Sequence, residues 1–517
     1  MRRLLPARFR ALYLAPVLAL VALLAWSLAS PMGASPDDDY HLVSTWCANS
    51  ARTAECAPGT SATSRVVPEA LVRAPCFAHE PKISGACQKT AFNLDPTPTE
   101  LTERGNFQGA YPPLYYATMN LFTGPNILLS VFIMRVVSVL LFLGLTVALF
   151  LLLPRDRKPT LVWGWAISTV PLGLFLIASN NPSGWAITGI GSAWIALLGY
   201  FETSGRRKIG LGIVFGIAAL MAAGSRGDSA IYLILAIAAV IFLAFRREKT
   251  FYLDSILPLA LVIVAVVFFL SARQTLSGIE GFSGVEGFSG GSGQANSVSP
   301  PTTATDTVNP LGLLFSNLAN VQSLWAGVLG SWGLGWFDTP MPAIVAMGSL
   351  ASFVGIVFVS LGWLTWRKGL VMAGIGVVLW VLPVYVLTKG LDPVGVEVQP
   401  RYLLPIIVML AGVAMLSARG RPVRVTRVQW ILVASALTLA QALALYFTMR
   451  RFVNGGAPGG FYLDSNIKWW WDIPFSPMLV LALGSLAYGG LVFIVLREVT
   501  ALATTEAPAR EVELSRG

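Results

Sequence analysis

The stretch PNILLSVFIMRVVSVLLFLGLTVALFLLL, residues 125–153, contains a single charged side chain, Arg135. About 20 residues of this kind cross the roughly 30 Å of hydrocarbon in a bilayer as an α-helix, which satisfies its own backbone N–H and C=O groups where water cannot. It lacks the two-residue alternation of a lipid-facing barrel strand, so the barrel reading is excluded. Directly after it comes RDRK (155–158), a basic cluster of the sort retained at the cytoplasmic face of a membrane.

The same pattern recurs outward in both directions, near residues 11–30, 160–178, 185–203, 209–223, 230–245, 252–271, 341–363, 369–388, 403–418, 428–448 and 478–496. With the opening stretch this gives about twelve crossings. The run at 209–223 is short, but the Gly and Ala at 215–224 suit close packing inside a bundle. A hydrophobic fraction of 55%, a charged fraction of 12% and a mean hydropathy of +0.68 exclude a soluble globular protein. The expected fold is an all-α polytopic membrane protein.

Basic residues orient it. With the N-terminus inside, MRRLLPARFR (1–10), RDRK (155–158), RRK (206–208), RREK (246–249), RK (367–368), ARGRPVRVTR (418–427) and the C-terminal tail hold 22 of the 36 Lys and Arg. The short outer loops hold Arg226, Arg273, Lys389, Arg401, Arg450, Arg451 and Lys468. Both termini are therefore expected in the cytoplasm, and topology alone explains the net charge of +10 without a nucleic-acid partner. Cys47, Cys56, Cys76 and Cys87 all fall in the first outer loop, as two disulfides in an oxidising space require. Three connectivities are open, and no C-x-x-C spacing favours structural zinc.

The expected organisation is an N-terminal anchor (1–30), a first extracytoplasmic loop (31–124), helices two to seven (125–271), a second long loop (272–340), the remaining helices (341–496) and a cytoplasmic tail (497–517). The anchor's apolar core is longer than a signal peptide's, which favours its retention. The second loop carries the tandem repeat IEGFSG, VEGFSG (279–290), then a Gly, Ser, Pro and Thr tract, read as either a linker or a lid. Its end, 317–342, is expected to lie on the outer surface as a helix or half-helix. There Trp325, Trp332 and Trp336, with Trp469, Trp470 and Trp471, would anchor at headgroup level.

The polar motifs gather on the outer side: PDDDYH (36–41), YPPLYY (111–116), NNPSG (180–184), SRGDS (225–229), GWFDTP (335–340) and VQPRYLLP (398–405). Asp37, Asp38 and Asp39 repel one another, a setting for a base of shifted pKa or a metal ligand. Arg226, Lys389 and Arg401 could hold a phosphate at the membrane surface, or pair with Asp228, Asp392 or Glu397. Arg135, inside a crossing, needs a partner.

This ordered set resembles the bacterial predicted membrane proteins of domain of unknown function 2142, whose stretches read PDE-x-x-H, HPPLYY, NP-x-G, WG-x-FGW-x-D-T-P and QGRYLLP. Asp38, Tyr111 and Pro400 depart from that pattern, standing in place of Glu, His and Gly. That family is similar to GT-C fold glycosyltransferases, which take a sugar from a polyprenyl-phosphate donor at the outer face of the membrane. The resemblance implies a catalytic acid at Asp37 or Asp38, and a lipid-linked sugar donor with a cell-envelope glycan or lipid acceptor. The expected phosphate ligands are Arg401 with Arg226 or Lys389, and His41 and Tyr402 orient substrate; a divalent metal is conceivable at the acidic cluster. A transporter or flippase of an envelope lipid precursor and a non-catalytic assembly protein are the alternatives. The near absence of charge within the crossings disfavours transport.

Overall fold

A computed structural model describes residues 7–49, 55–92, 98–272, 309–396, 398–417, 423–455, 461–465 and 467–505. The tandem repeat at 279–290 and Glu397 lie outside these residues. Among the described residues, nine helices are long and apolar enough to cross a bilayer: Ala11–Ala29, Ile127–Leu152, Pro182–Glu202, Gly227–Ala244, Lys249–Ser271, Ala343–Trp363, Trp366–Gly390, Arg427–Asn454 and Pro477–Leu502. A tenth is reached if Arg155–Ser168 and Pro171–Ile177, bent by 97°, form one broken span.

The expected twelve crossings are thus not met, and each shortfall has a local cause. The bend falls before Pro171, whose ring forces Val170 into extended backbone (ψ 176°) and stops the helix. Gly205–Ala223 is a 19-residue helix, but Arg206, Arg207 and Lys208 occupy its first turn. Pro400–Ala414 has 15 residues and is buried along nearly its whole length. At the rise of an α-helix it spans only about 22 Å, short of the hydrocarbon thickness.

Packing sets a clear centre and edge. The window of Pro182–Glu202 is 89% buried and that of Lys249–Ser271 only 17%, so the former is the axial helix and the latter a lipid-facing one. Small residues let the axial helix approach its neighbours: a Cβ at Gly189 would stand 2.6 Å from the Ala222 nitrogen and 2.7 Å from the Ala218 carbonyl oxygen. Of the Gly and Ala expected to pack Gly205–Ala223 closely, Ala218 and Ala222 do so, whereas Gly216 faces open space.

The end of the bundle expected inside is cross-linked by its own basic residues. Arg157 donates to both carboxylate oxygens of Glu202 (2.8 and 2.6 Å) and to the Ser417 hydroxyl (2.7 Å). Lys208 pairs with Asp254 at 2.5 Å, Arg367 donates to the carbonyls of Leu243 and Phe245, and buried Lys368 donates to that of Leu416. Segments scattered over the chain thus share one basic end.

At the opposite end the first loop folds over the bundle. Its helix Asp38–Trp46 precedes an antiparallel sheet of Ala57–Pro58, Arg65–Pro68 and Thr99–Thr102, in that order. The disulfides are Cys47–Cys56 and Cys76–Cys87, which selects one of the three open connectivities. The second loop returns as Pro310–Asn320 and Gln322–Ala326, then kinks at Gly330, whose φ of 107° L side chains rarely adopt.

The tryptophans expected as headgroup anchors are mostly inside the protein. Trp336, Trp469, Trp470 and Trp471 are buried; the indole N–H of Trp336 donates to the Gly33 carbonyl and that of Trp471 to the Leu28 carbonyl. They fasten late loops to the end of the first helix. Arg451 adds a buried ion pair to Asp338 at 2.7 Å and donates to the carbonyls of Phe77, Glu80 and Ile83.

Candidate functional site

The acidic turn begins where the first helix ends, and Arg135 builds its floor. This arginine is fully buried in the helix Ile127–Leu152. Its Nη1 donates to the carbonyls of Ser27 (2.7 Å) and Ser30 (2.8 Å), its Nη2 to that of Pro31 (2.8 Å) and its Nε to Asn180 Oδ1 (3.1 Å). The cost of burying the charge is offset by these acceptors, most of them carbonyls freed by the helix end.

Asn181 holds the turn from the other side. Its Nδ2 donates to the Ser35 hydroxyl (2.9 Å) and the Pro36 carbonyl (2.8 Å), and its Oδ1 caps the axial helix by accepting from the Ser183 N–H (2.9 Å). The Asn pair of NNPSG is thus a clamp, one amide for Arg135 and one for the turn.

Asp37 then takes left-handed backbone, with a φ of 61°. That conformation costs an L residue about 1 kcal/mol. The strain is held by Asn181 and by Arg401, whose Nη1 also donates to the Pro36 carbonyl (2.9 Å). Non-glycine strain of this kind concentrates at functional sites. The Asp37 carboxylate lies between two guanidiniums: Arg401 Nη2 at 2.5 Å and Arg104 Nη2 at 3.1 Å. The Arg401 side chain is 2% exposed, that of Arg104 26% and that of Asp37 22%, so one face of the carboxylate meets the buried core and the other meets water. Burial alone would raise the Asp37 carboxyl. Arg401, then His41 and Arg104, outweigh it and hold the group well below the usual carboxylate range. His41 is itself kept neutral, so the two arginines carry this effect at neutral pH.

Asp38 differs in every respect. It is fully buried, its Oδ2 accepts from the Ser35 N–H (3.2 Å) and its Oδ1 has no partner among the described residues. Burial pushes its carboxyl up to about 7, against the attraction of Arg135. Asp39 pairs with Arg104.

Behind the turn stands an aromatic wall. His41 Nδ1 lies 2.9 Å from the Tyr116 hydroxyl, and its buried Nε2 has no partner among the described residues. Burial lowers the imidazole well below its ordinary value; Asp37 opposes this, and Arg401, Arg226 and Arg104 add to it. Arg401 Nη2 donates to the Tyr402 hydroxyl (3.1 Å), and the Tyr402 ring lies 4.2 Å beneath the Arg226 guanidinium. Arg226 forms a two-bond pair with Asp228 (2.9 and 3.0 Å), so this arginine takes the structural role.

The structure brings Asp37, Asp38, His41, Arg226, Arg401 and Tyr402 into one cluster. It places Lys389 apart from them, exposed in the last turn of Trp366–Gly390 and, among the described residues, without a hydrogen bond or ion pair to the acidic turn. Sequence reasoning missed Arg104, which lies in the long first loop where the charge rule is weak and no periodicity marks it. Among the described residues, no three His, Cys, Asp or Glu side chains converge as a metal site.

A shallow apolar cleft opens beside Arg401; its closed interior has room for about one water molecule, and the rest of its roughly 450 Å³ of empty space is open mouth and solvent. Pro36, Leu172, Phe175, Trp332, Phe337 and Met341 are among its walls. It runs between the broken helix at Pro171 and the kinked segment around Gly330.

Neither a curated protein nor a solved structure matches the chain. The motifs assembled here, from the acidic turn through NNPSG to Arg401, fall within residues 20–410, the span matched by the family described as predicted membrane protein, domain of unknown function 2142, and the chain belongs to that family.

Proposed function

We propose that this membrane protein is a transferase that moves a sugar from a polyprenyl-phosphate donor to a cell-envelope glycan or lipid acceptor at the outer face of the bacterial plasma membrane. The observation that carries the reading is the two-sided setting of Asp37, with buried Arg401 and an apolar cleft on one side and water-exposed Arg104 on the other. A lipid-borne donor suits the first side and a polar acceptor the second.

In the proposed reaction the bond between the anomeric carbon and the phosphate oxygen breaks and the lipid phosphate leaves. The acceptor oxygen bonds to that carbon, and Asp37 takes its proton. Arg401 meets the departing phosphate through charge-assisted hydrogen bonds. Tyr402 and Tyr116 are buried, so their part is to hold Arg401 and His41 in place. Asp38 has the proton affinity of a base but no exposure, which makes Asp37 the group in reach of substrate.

The test is chromatography with mass spectrometry of lipid-linked sugars and envelope glycans in a deletion strain complemented with wild type or Asp37→Asn. Loss of one glycan with build-up of its donor, restored by wild type and not by Asp37→Asn, is expected. An unchanged profile on deletion overturns transfer and favours an assembly protein. Accumulation of precursor at the inner leaflet, with Asp37→Asn fully active, favours a flippase.

A further inference from the structure

Four carboxyls and four guanidiniums gather around the acidic turn. Asp37, Asp38, Asp39 and Asp228 stand among Arg104, Arg135, Arg226 and Arg401. Arg226 is spent on Asp228, Arg135 on backbone carbonyls and Arg104 on Asp37 and Asp39. Among the described residues of this cluster, no cation is held in reserve for an anionic ligand. An anion entering the site must take a guanidinium that a carboxylate already uses.

Arg401 is the one arranged to be taken. The Nε–H and Nη2 of a guanidinium form one planar edge that grips two oxygens of a phosphate or carboxylate side by side. In Arg401, Nη1 is fixed to the Pro36 carbonyl and Nη2 is shared between Asp37 and the Tyr402 hydroxyl. Its Nε is buried and, among the described residues, has no partner. Half of the gripping edge is therefore unused, in a buried residue that lines the apolar cleft. An unmade hydrogen bond on a buried charged donor is costly, and a ligand that supplies it recovers that cost.

We propose that Arg401 is a shared arm: an amphiphile with one anionic head and a hydrocarbon chain lays its chain along the open mouth of the cleft between Leu172, Trp332 and Met341, binds the Nε and Nη2 edge, and draws Arg401 off Asp37. The inference rests on the transferase reading for its purpose and adds to it. Asp37 is masked by two guanidiniums in the empty site; when the anion claims Arg401, the shorter pair is lost, only partly exposed Arg104 remains, and the carboxylate's proton affinity rises. A base that is inert without donor cannot promote side reactions with water.

Competition gives an unusual signature, because removing the acid improves ligand binding. The measurement is equilibrium binding of farnesyl phosphate, farnesol and inorganic phosphate to the purified full chain in a neutral detergent. Farnesyl phosphate is expected to bind at least about tenfold tighter than either of the others, since only it uses both cleft and edge. In Asp37→Asn, with the competing carboxylate gone, its affinity is expected to rise about tenfold, while farnesol binding stays as it was. Leu172→Trp fills the cleft on its broken-helix side and is expected to weaken farnesyl phosphate about tenfold. Equal or weaker binding in Asp37→Asn, no effect of Leu172→Trp, or inorganic phosphate binding as well as farnesyl phosphate would each overturn the proposal. If the binding pattern holds while the deletion strain keeps its glycans, the shared arm stands and the transferase reading alone falls.

Discussion

Asp37 and Asp38 are adjacent, chemically identical and electrostatically opposite, because the turn points one carboxylate at two arginines and the other into the protein. The difference has a pH signature. Asp38, raised to about 7 in the folded state from 3.8, binds a proton there that the unfolded chain has already released, so stability falls as pH climbs from about 4 to about 7. One fully buried carboxyl contributes at most about 1.4 kcal/mol per pH unit in that window. Asp37 acts oppositely and only below its ordinary range, where protonation breaks its pairs. His41, held neutral in the fold, gives an opposite slope below about pH 6.5 in wild type and variant alike, so the difference between wild type and Asp38→Asn in thermal unfolding between about pH 5.5 and 8 isolates Asp38: towards the alkaline end wild type is expected to lose stability relative to Asp38→Asn, which keeps a neutral side chain. Equal losses in both would show that Asp38 ionises freely. The acids were legible in sequence because three in a row at the lip of a crossing demand an explanation. Lys389 and Arg401 looked equivalent there, each at an outer mouth. What separates them is placement: Lys389 ends its helix facing outward, whereas Arg401 sits in the first turn of a helix buried nearly all round.

Among the elements, the junction between the first helix and the acidic turn depends most on one side chain. Arg135 accounts for the carbonyls of Ser27, Ser30 and Pro31 and for Asn180, while Asn181 holds Ser35 and Pro36. Replacing Arg135 by Met leaves those carbonyls without this donor and Asp38 without the positive charge that opposes its burial. Breaking a buried network of this kind costs about 3–5 kcal/mol. Arg135→Met is expected to show a markedly lower unfolding temperature and faster proteolysis of the first loop, at a pH where Asp38→Asn is close to wild type. An unchanged unfolding temperature would mean that water replaces the guanidinium and that the junction is held elsewhere. Hydropathy correctly flagged Arg135 as needing a partner, yet its partners are mostly main-chain oxygens, which no residue pattern can announce. The tryptophans mislead for a related reason. Their spacing suits a headgroup belt, but a loop that folds back over the bundle offers the same indoles a carbonyl and an apolar wall inside the protein.

For the whole molecule, alternation of apolar runs with basic and polar connectors was enough to place every site motif at one end and nearly every basic cluster at the other. It overcounted crossings because length and hydropathy cannot see a 97° break or a helix of 15 buried or nearly buried residues. The arrangement itself makes the orientation testable. Ion pairs such as Arg157–Glu202 and Lys208–Asp254 tie the basic end together, and the charge rule predicts that this end faces the cytoplasm. All four cysteines of the chain are paired in disulfides, so they offer no thiol to a maleimide and a single introduced cysteine reports on its own position. Lys82 in the first loop and Arg246 between two helices are both exposed, at opposite ends. In spheroplasts treated with a membrane-impermeant maleimide, Lys82→Cys is expected to label at once and Arg246→Cys only after the membrane is opened. The reverse pattern would turn the acidic turn and its arginines to the cytoplasm, where neither an envelope acceptor nor an oxidising space for the two disulfides exists.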